Sequence, residues 1–335
     1  MNDLIRSLVE AYGPSGFEDR VRDLIRPIVE PLVDELTVDP MGNLIARKRA
    51  SAGVENPLKV MVAAHMDEIG VMVTHVTEKG FLRFTNIGGV APHTLLGGRV
   101  RFADGTPGII GSDRLEGAGS IHPLNKHFID VGATGREDCP VHVGDAAHFD
   151  RSFEARGRHL TAKSMDDRIG CAVAIEALRR LPAVVAHDLY FVFSVQEEVG
   201  TRGAEAAANG ILPDVSIALD VTLTGDVPEC RPMDVRLGGG PAIKVKDSGM
   251  IAHPGLVRLM RRRAEEAGIA YQLEVLEGGT TDARPMQLAG SGSAAGCISI
   301  PCRYIHTPSE TVDAEDVEGC VRLLAAILTN EIDLG

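Results

Sequence analysis

Hydrophobic residues along most of the chain follow the pattern of an α/β protein. The run at residues 58–65 is almost continuously apolar, which is typical of a strand buried on both faces of a sheet. Further strands are predicted at residues 188–196 and 215–220, and segments with helical spacing alternate with them. The last helix is predicted to begin at Asp313. This alternation predicts an α/β domain built on a central sheet.

Residues 69–159 interrupt this pattern. They consist of short runs in which apolar and polar residues alternate, and glycine-containing turns separate the runs. Such alternation with frequent turns predicts an all-β insertion. We therefore expect two units: an α/β domain formed by residues 1–68 and 160–335, and an inserted β domain at residues 69–159 that serves as an interface module.

The N-terminal segment is predicted to form two helices that are broken at Gly13 and Pro14. Ser15 and Glu18 have the spacing of a capping box, which predicts that they begin the second helix. Residues 35–49 then predict a β-hairpin.

Composition restricts the classes of protein to which the chain can belong. With 335 residues, 44% of them hydrophobic, the chain is long enough to bury a large core. Its 34 basic and 47 acidic residues give a formal charge of -13, which disfavours nucleic acids and anionic membranes as partners. The uncharged stretch at residues 285–302 contains Gly, Ser, Pro and Gln, so we interpret it as a buried loop and strand.

Cysteine usage and the N-terminal residues both indicate the compartment. The six cysteines are scattered without a C-x-x-C pair, a distribution that fits a reducing environment. The first residues include Asp3 and Glu10 and lack both a basic lead and a small-residue cleavage site, so they do not resemble a secretory or transit signal. We therefore expect a cytoplasmic protein.

Acidic and histidine side chains follow several of the predicted strands. In an open α/β sheet, ligands gather where the strands end, so such positions are candidates for function. The positions concerned are His65 with Asp67, Glu197 with Glu198, Asp220, and His306. A further pair, Asp166 and Asp167, opens a predicted helix.

Each of these residues alone has an ordinary structural interpretation. A single histidine after a strand is usually a hydrogen-bonded surface or core residue, and aspartate before a helix stabilises the helix N-terminus. Several carboxylates and two histidines on one edge are different, because carboxylates buried together without a cation would repel one another. A mixed set of nitrogen and oxygen donors suits Zn²⁺, Co²⁺ or Mn²⁺. The sequence therefore predicts a divalent metal site.

Six sequence motifs extend this interpretation. AAHMDEIG, KSMDDRIG, FSVQEEVGTRGA, ALDVTLTGD, GGTTDA and RYIHTPSE occur in this order along the chain. The set resembles the motifs of the M42 metallopeptidases, the glutamyl and related aminopeptidases that include tetrahedral assemblies. The resemblance runs essentially end to end. It implies a zinc-peptidase-like α/β domain with a mixed sheet, interrupted by a small barrel-like β domain for dimerisation.

The resemblance also implies a role for each candidate at the predicted edge. Asp166 would bridge two divalent ions, with His65 and Asp220 on one ion and Glu198 and His306 on the other. The two ions would be Zn²⁺, Co²⁺ or Mn²⁺, since all three accept these donors.

The general base implied by the resemblance is Glu197. Two cations about 3.5–4 Å apart can share a hydroxide, lower its pKa and polarise the scissile carbonyl. Glu197 would take the proton of the water and return it to the leaving amine. Asp67 is expected to accept the second N–H of the His65 imidazole, and a local turn is the alternative use of its carboxylate. As in the family, we expect a cis peptide bond between Asp166 and Asp167.

Substrates and assembly follow from the same resemblance. Gly279, Thr280 and Asp282 lie in a segment that resembles the family's substrate-pocket loop, and a plain turn before a helix would have the same composition. The expected substrates are peptides with a free N-terminus, and the expected assembly is a homo-oligomer in which dimers form a tetrahedral dodecamer. The alternatives are a related two-metal deacylase or carboxypeptidase, which hydrolyses a different amide, and a non-catalytic assembly subunit.

Overall fold

The computed structural model describes residues 1–114 and 122–335, so residues 115–121 of the predicted insertion lie outside the described part. The α-helices within these residues are α1 (Asn2–Glu10), α2 (Asp19–Val29), α3 (Met165–Arg180), α4 (Arg202–Ile211), α5 (Pro254–Glu266), α6 (Ala283–Gln287) and α7 (Ala314–Thr329). The strands are β1 (Glu35–Val38), β2 (Leu44–Lys48), β3 (Lys59–His65), β4 (Gly70–Val76), β5 (Leu82–Ile87), β6 (Arg99–Phe102), β7 (Pro107–Ser112), β8 (His127–Asp130), β9 (Ala146–Phe149), β10 (Glu154–Arg156), β11 (His159–Ala162), β12 (Asp188–Ser194), β13 (Val215–Thr222), β14 (Ala242–Lys246), β15 (Gln272–Val275), β16 (Ala294–Arg303) and β17 (Glu310–Asp313).

Eleven of the described strands form one mixed sheet. Nine of them follow the order β1-β2-β12-β3-β13-β16-β17-β11-β10, and β14 and β15 extend the sheet beside β16. The central strands β12, β3, β13 and β16 run parallel, whereas β2 pairs with β12 in the antiparallel direction. The prediction of an α/β fold with a mixed sheet is therefore confirmed.

The central strand β3 is apolar on both faces because helices cover both faces. Successive residues of a strand point to opposite sides of a sheet. Val60, Val62 and Ala64 pack into a core cluster that includes residues of α1, α3 and α7. Met61 and Ala63 pack into a second cluster, which includes residues of α4 and α6. This two-sided burial explains the continuous apolar run in the sequence.

The inserted segment forms a closed β barrel. Its six strands are hydrogen-bonded in the order β4-β5-β8-β7-β6-β9, and β9 pairs with β4 to close the ring. Val71, Leu82 and Ile129 are among the residues that fill its interior. The all-β, barrel-like nature of the insertion is therefore confirmed. The described barrel strands run from β4 to β9, and β10 pairs with β11 in the large sheet.

The predicted capping box at Ser15 and Glu18 is wrong. Glu18 itself is the N-cap residue of α2, and no side chain caps the helix. The hydroxyl of Ser15 donates to the carboxylate of Asp67 at 2.6 Å. The Glu18 carboxylate accepts hydrogen bonds from the backbone N–H groups of Gly16 at 2.7 Å and Gln196 at 3.1 Å. Both side chains hold loops at the edge of the sheet, and this tertiary role replaces the local one.

The uncharged stretch at residues 285–302 is divided between the end of α6, a connecting loop and β16. Residues 295–302 of that strand are buried, in agreement with the interpretation as a buried strand. Within the described ranges, no helix combines the length and the apolar character needed to cross a bilayer.

Candidate metal centre

The candidate residues meet at one edge of the large sheet. Strands β3, β12 and β13 run parallel, so their carboxyl ends lie on the same side. The five predicted ligands come from different elements: His65 ends β3, Glu198 follows β12, Asp220 lies in β13, Asp166 opens α3, and His306 lies between β16 and β17. Contacts between their side chains connect them into one cluster at this edge.

Asp166 lies between the two histidines. Its Oδ1 is 3.0 Å from Nε2 of His65, and its Oδ2 is 3.3 Å from Nε2 of His306. Burial acts to raise the pKa of this carboxyl, but the imidazoles of His306 and His65 outweigh burial and hold it below its ordinary value. One carboxylate thus approaches both nitrogen donors, each through a different oxygen. The peptide bond between Asp166 and Asp167 is cis, as predicted.

Glu198 and His306 form the second part of the cluster. Oε2 of Glu198 is 3.3 Å from Nε2 of His306, and Oε1 has no hydrogen-bond partner among the residues described. Burial raises the pKa of Glu198 to about 8, and the charge of Asp166 adds to this shift. His306 has a φ of 61°, a left-handed conformation that is uncommon outside glycine and often occurs at functional sites.

Asp220 joins the cluster through His65. Donor atoms of His65, Asp167 and Asp220 all lie within 4.8 Å of one another, as do those of His65, Asp166 and Glu198. The sequence analysis named Asp167 beside Asp166 but assigned it no role as a ligand. Its carboxylate accepts hydrogen bonds from the backbone N–H groups of His65 at 3.3 Å and Gly170 at 3.1 Å. Asp167 thus helps to hold the backbone of β3 and of α3, and its carboxylate remains within reach of the donor atoms of His65 and Asp220.

Glu197 lies beside the ligands but outside both donor groups. Its Oε2 is 3.9 Å from Nε2 of His65, whereas its neighbour Glu198 approaches His306. The preceding residue, Gln196, has a φ of 55°, so the chain turns immediately before the two glutamates. Burial raises the pKa of Glu197 well above its ordinary value, and the charge of Asp220 contributes further.

Asp67 fixes the backbone of both glutamates. Its Oδ1 accepts from the N–H of Glu197 at 2.9 Å, and its Oδ2 accepts from the N–H of Glu198 at 3.1 Å and from the hydroxyl of Ser15 at 2.6 Å. The predicted contact with His65 is also present, since Nδ1 lies 3.4 Å from Oδ1 and 3.2 Å from the carbonyl oxygen of Asp67. Sequence reasoning missed the larger task of this carboxylate, which is to hold the loop after β12.

Glu310 performs the same task on the opposite side of the site. This buried carboxylate accepts from the N–H of Asp166 at 2.9 Å and from the N–H of His306 at 2.8 Å. One side chain therefore fixes the backbone of two candidate ligands. Sequence reasoning assigned no role to Glu310, although it ends the motif RYIHTPSE four residues after His306.

A buried ionic cluster lies behind the start of α3. Glu68 accepts a hydrogen bond from Lys163 at 2.7 Å, and Arg168 and His148 approach the same carboxylate at 3.3 and 3.4 Å. Burial acts to raise the pKa of Glu68, but Lys163 and Arg168 outweigh it and hold the pKa below its ordinary value. Because His148 belongs to the barrel strand β9, the cluster joins the barrel to the helix that carries Asp166.

Only part of the predicted pocket loop lies beside the candidate site. Asp282 is buried, accepts a hydrogen bond from Ser194 at 2.5 Å, and contributes to the raised pKa of Glu197, which places it next to the site. Burial raises the pKa of Asp282 to about 6. Gly279 and Thr280 instead contact the turn at residues 247–249, where Gly279 accepts from the N–H of Ser248 at 3.1 Å.

The residues present fit divalent ions. They supply imidazole nitrogens and carboxylate oxygens, the donors that Zn²⁺, Co²⁺ and Mn²⁺ share. Burial raises the pKa values of Glu198 and Asp220, and the negative charge of Asp166 adds to both shifts. A cation would relieve this repulsion and would also provide a partner for the buried Oε1 of Glu198. Histidine and carboxylate donors grouped in this way, beside one further carboxylate, are typical of metal-dependent hydrolases.

Comparison with known proteins defines the family. The family model described as M42 glutamyl aminopeptidase matches residues 42–323. The chain therefore belongs to the M42 family of aminopeptidases, and it is a peptide hydrolase.

Curated relatives and solved structures agree with this assignment. The lysyl aminopeptidase of Pyrococcus furiosus is 37% identical over 341 residues, which cover 97% of this chain and 96% of the relative. An aminopeptidase of the archaeon Desulfurococcus kamchatkensis has a TM-score of 0.93 at 42% identity, covering 98% of this chain and 94% of that one. The TET1 peptidase of Pyrococcus horikoshii, which can assemble into a tetrahedron or a large octahedral shell, has a TM-score of 0.89 at 33% identity, covering 98% and 99%.

Proposed function

We propose that the chain is a dinuclear metal aminopeptidase that removes N-terminal residues from peptides. In this proposal Asp166 would be shared by two divalent ions, His65 and Asp220 would hold one of them, and Glu198 and His306 would hold the other. The observation that carries the proposal is the position of Asp166, whose two oxygens lie 3.0 and 3.3 Å from the imidazoles of His65 and His306.

Bound divalent ions would supply Lewis acidity, which lowers the pKa of a water and polarises the scissile carbonyl. Glu197 serves as the general base. It takes a proton from the attacking water and delivers it to the leaving amine. Its position supports this role, since it borders the ligands at 3.9 Å from His65 without belonging to either donor group. Burial raises its pKa above the ordinary value for a glutamate, which favours proton uptake by this carboxylate.

The proposal also covers the substrate class, the assembly and the cellular location. We propose peptides with a free N-terminus as substrates, because the relatives are aminopeptidases. We propose that residues 69–159 form the dimerisation domain and that dimers assemble into a tetrahedral dodecamer, since the TET1 peptidase can form a tetrahedron. All six cysteines are free thiols, which supports a cytoplasmic location.

Two substitutions test the metal centre. Glu197→Gln should retain two divalent ions per chain, measured by elemental analysis after gel filtration, while kcat falls by about 100-fold or more because the proton acceptor is lost. Asp166→Ala should lose ions from both positions. Glu205→Gln, an exposed residue of α4, is the matched control and should change neither property. Full activity of the Glu197 variant would contradict its role as the base.

The substrate class requires a separate assay. An aminopeptidase should release the chromophore from free aminoacyl anilides and leave the corresponding N-acetylated compounds intact. A two-metal deacylase or carboxypeptidase would show the opposite preference or would act at the C-terminus. Intact metal binding without turnover of any of these substrates would favour the non-catalytic assembly subunit.

A further inference from the structure

A turn of the barrel lies directly against two of the candidate ligands. Gly88 and Gly89 follow β5, and the Asn86 side chain donates to the carbonyl of Gly88 at 2.7 Å, which braces the turn. A methyl group added to Gly89 would lie 2.4 Å from Nδ1 and 2.7 Å from Cε1 of His306. At Gly88 it would lie 2.8 Å from Oε2 of Glu198. The barrel therefore forms a wall of the candidate metal centre.

Glycine is needed at these two positions for different reasons. Gly88 has a φ of 70°, so a side chain there would strain the backbone as well as contact Glu198. Gly89 has no such backbone conformation, and the three nearest heavy atoms to an added methyl group are all in the imidazole of His306. A substitution of Gly89 with alanine is therefore a direct steric probe of that ring.

The two histidines of the site are oriented by different means. Nδ1 of His65 lies 3.2 Å from the carbonyl of Asp67, the kind of hydrogen bond that usually fixes a metal-binding imidazole. His306 has its backbone held by Glu310, while the barrel turn lies on the Nδ1 side of its ring. Packing against the turn thus limits where this ring can lie.

We propose that Gly89 is a positioning residue, through which the barrel determines how the imidazole of His306 meets the metal ion at the position it shares with Glu198. The inference rests on the proposed function, because it requires that His306 binds an ion. It adds that the inserted barrel is part of the catalytic machinery in each chain, in addition to any role in assembly.

The test is metal binding by Gly89→Ala, measured by equilibrium dialysis against Co²⁺ and by the visible spectrum of the bound cobalt. The methyl group should push the ring away, so one of the two ions should bind about 10- to 100-fold more weakly while the other is retained. Gly135→Ala is the matched control, because it lies in the same inserted segment and its added methyl group would be no closer than 3.7 Å to its neighbours. The melting temperature of each variant reports whether the fold is intact.

A double substitution identifies the route of the effect. In a His306→Ala background the imidazole is absent, so Gly89→Ala should cause no further loss of cobalt affinity. Wild-type affinity for both ions in the Gly89 variant, or an equal loss with and without the imidazole, would overturn the inference. If the wild-type chain itself binds fewer than two ions, the proposed function fails, and this inference fails with it.

Discussion

Asp67 offers the sharpest test of how the site is held together. The change Asp67→Asn keeps the size of the side chain and replaces one carboxylate oxygen with an NH₂ group. In the structure, both oxygens accept hydrogen bonds: one from the N–H of Glu197, the other from the N–H of Glu198 and the hydroxyl of Ser15. The hydroxyl of Ser15 can rotate and accept from the new amide, but a backbone N–H cannot. At least one of the two glutamates must therefore lose its acceptor.

The magnitude follows from these bonds. A buried N–H that loses its partner costs about 1–3 kcal/mol, and the change from a charged to a neutral acceptor weakens the remaining bonds by about 1 kcal/mol more. Asp67 is fully buried, so solvent does not screen the interaction. The total is about 2–4 kcal/mol. If the whole of this free-energy loss acts by displacing Glu197 and Glu198 from their catalytic positions, kcat/KM falls by roughly 30- to 1,000-fold.

The assay compares steady-state kinetics on an aminoacyl anilide with metal content and urea unfolding. Asp138→Asn is the control. Asp138 lies in a loop of the inserted segment and accepts hydrogen bonds from the N–H and the hydroxyl of Thr134 and from the N–H of Gly135. The control should leave kcat/KM unchanged. The reasoning is refuted if the Asp67 variant keeps kcat/KM within about threefold of wild type, or if the Asp138 variant loses as much.

Two further predictions concern the supports of the site. Glu310→Gln turns an amide donor toward the N–H of either Asp166 or His306, so urea unfolding should show a loss of about 1–3 kcal/mol, accompanied by weaker metal binding. Lys163→Met breaks the buried pair with Glu68 and should cost about 3–5 kcal/mol at pH 7. Burial lowers the pKa of Lys163 from 10.5 to about 8, so the folded wild type binds fewer protons than the unfolded chain between these values. The wild-type free energy of unfolding should therefore gain a contribution from this group as the pH rises from about 8 to 10, and the methionine variant should lack it; identical pH profiles would contradict the assignment.

Strand β3 is predictable from sequence because its apolar run reflects burial on both faces, a property that local pattern records directly. Strand β14 is absent from the prediction. It contains Lys244, and a lysine in the middle of a short run argues against a buried strand. In the fold, Lys244 is fully buried and paired with Glu274, which lies on the neighbouring strand β15. Glu274 is thirty residues away in the sequence, so this pairing cannot be predicted without knowing that β14 and β15 are neighbours.

The candidate site likewise contains some residues that the sequence indicates and others that it does not. His65, Asp166 and Glu198 can be singled out from the sequence as candidates because metal ions favour a few residue types as ligands and because these residues occur in motifs. Gly89 carries no such signal, since a turn glycine has the same appearance whether or not a ligand lies beside it. Glu310 was overlooked because its partners are backbone N–H groups, which every residue possesses except proline.

The backbone hydrogen bonds of Asp67 and Glu310 explain how the site tolerates its own charge. Asp67 and Glu310 hold the backbone N–H groups of four residues, namely Glu197, Glu198, Asp166 and His306. Three of these are candidate ligands and the fourth is the candidate base. Fixing them through the backbone leaves their side chains free to face the ions, so the geometry is organised before any ion binds. The carboxylate repulsion at the centre is therefore resisted by bonds at its periphery, and this is why a change at Asp67 or Glu310, neither of them a ligand, should reduce metal binding or turnover.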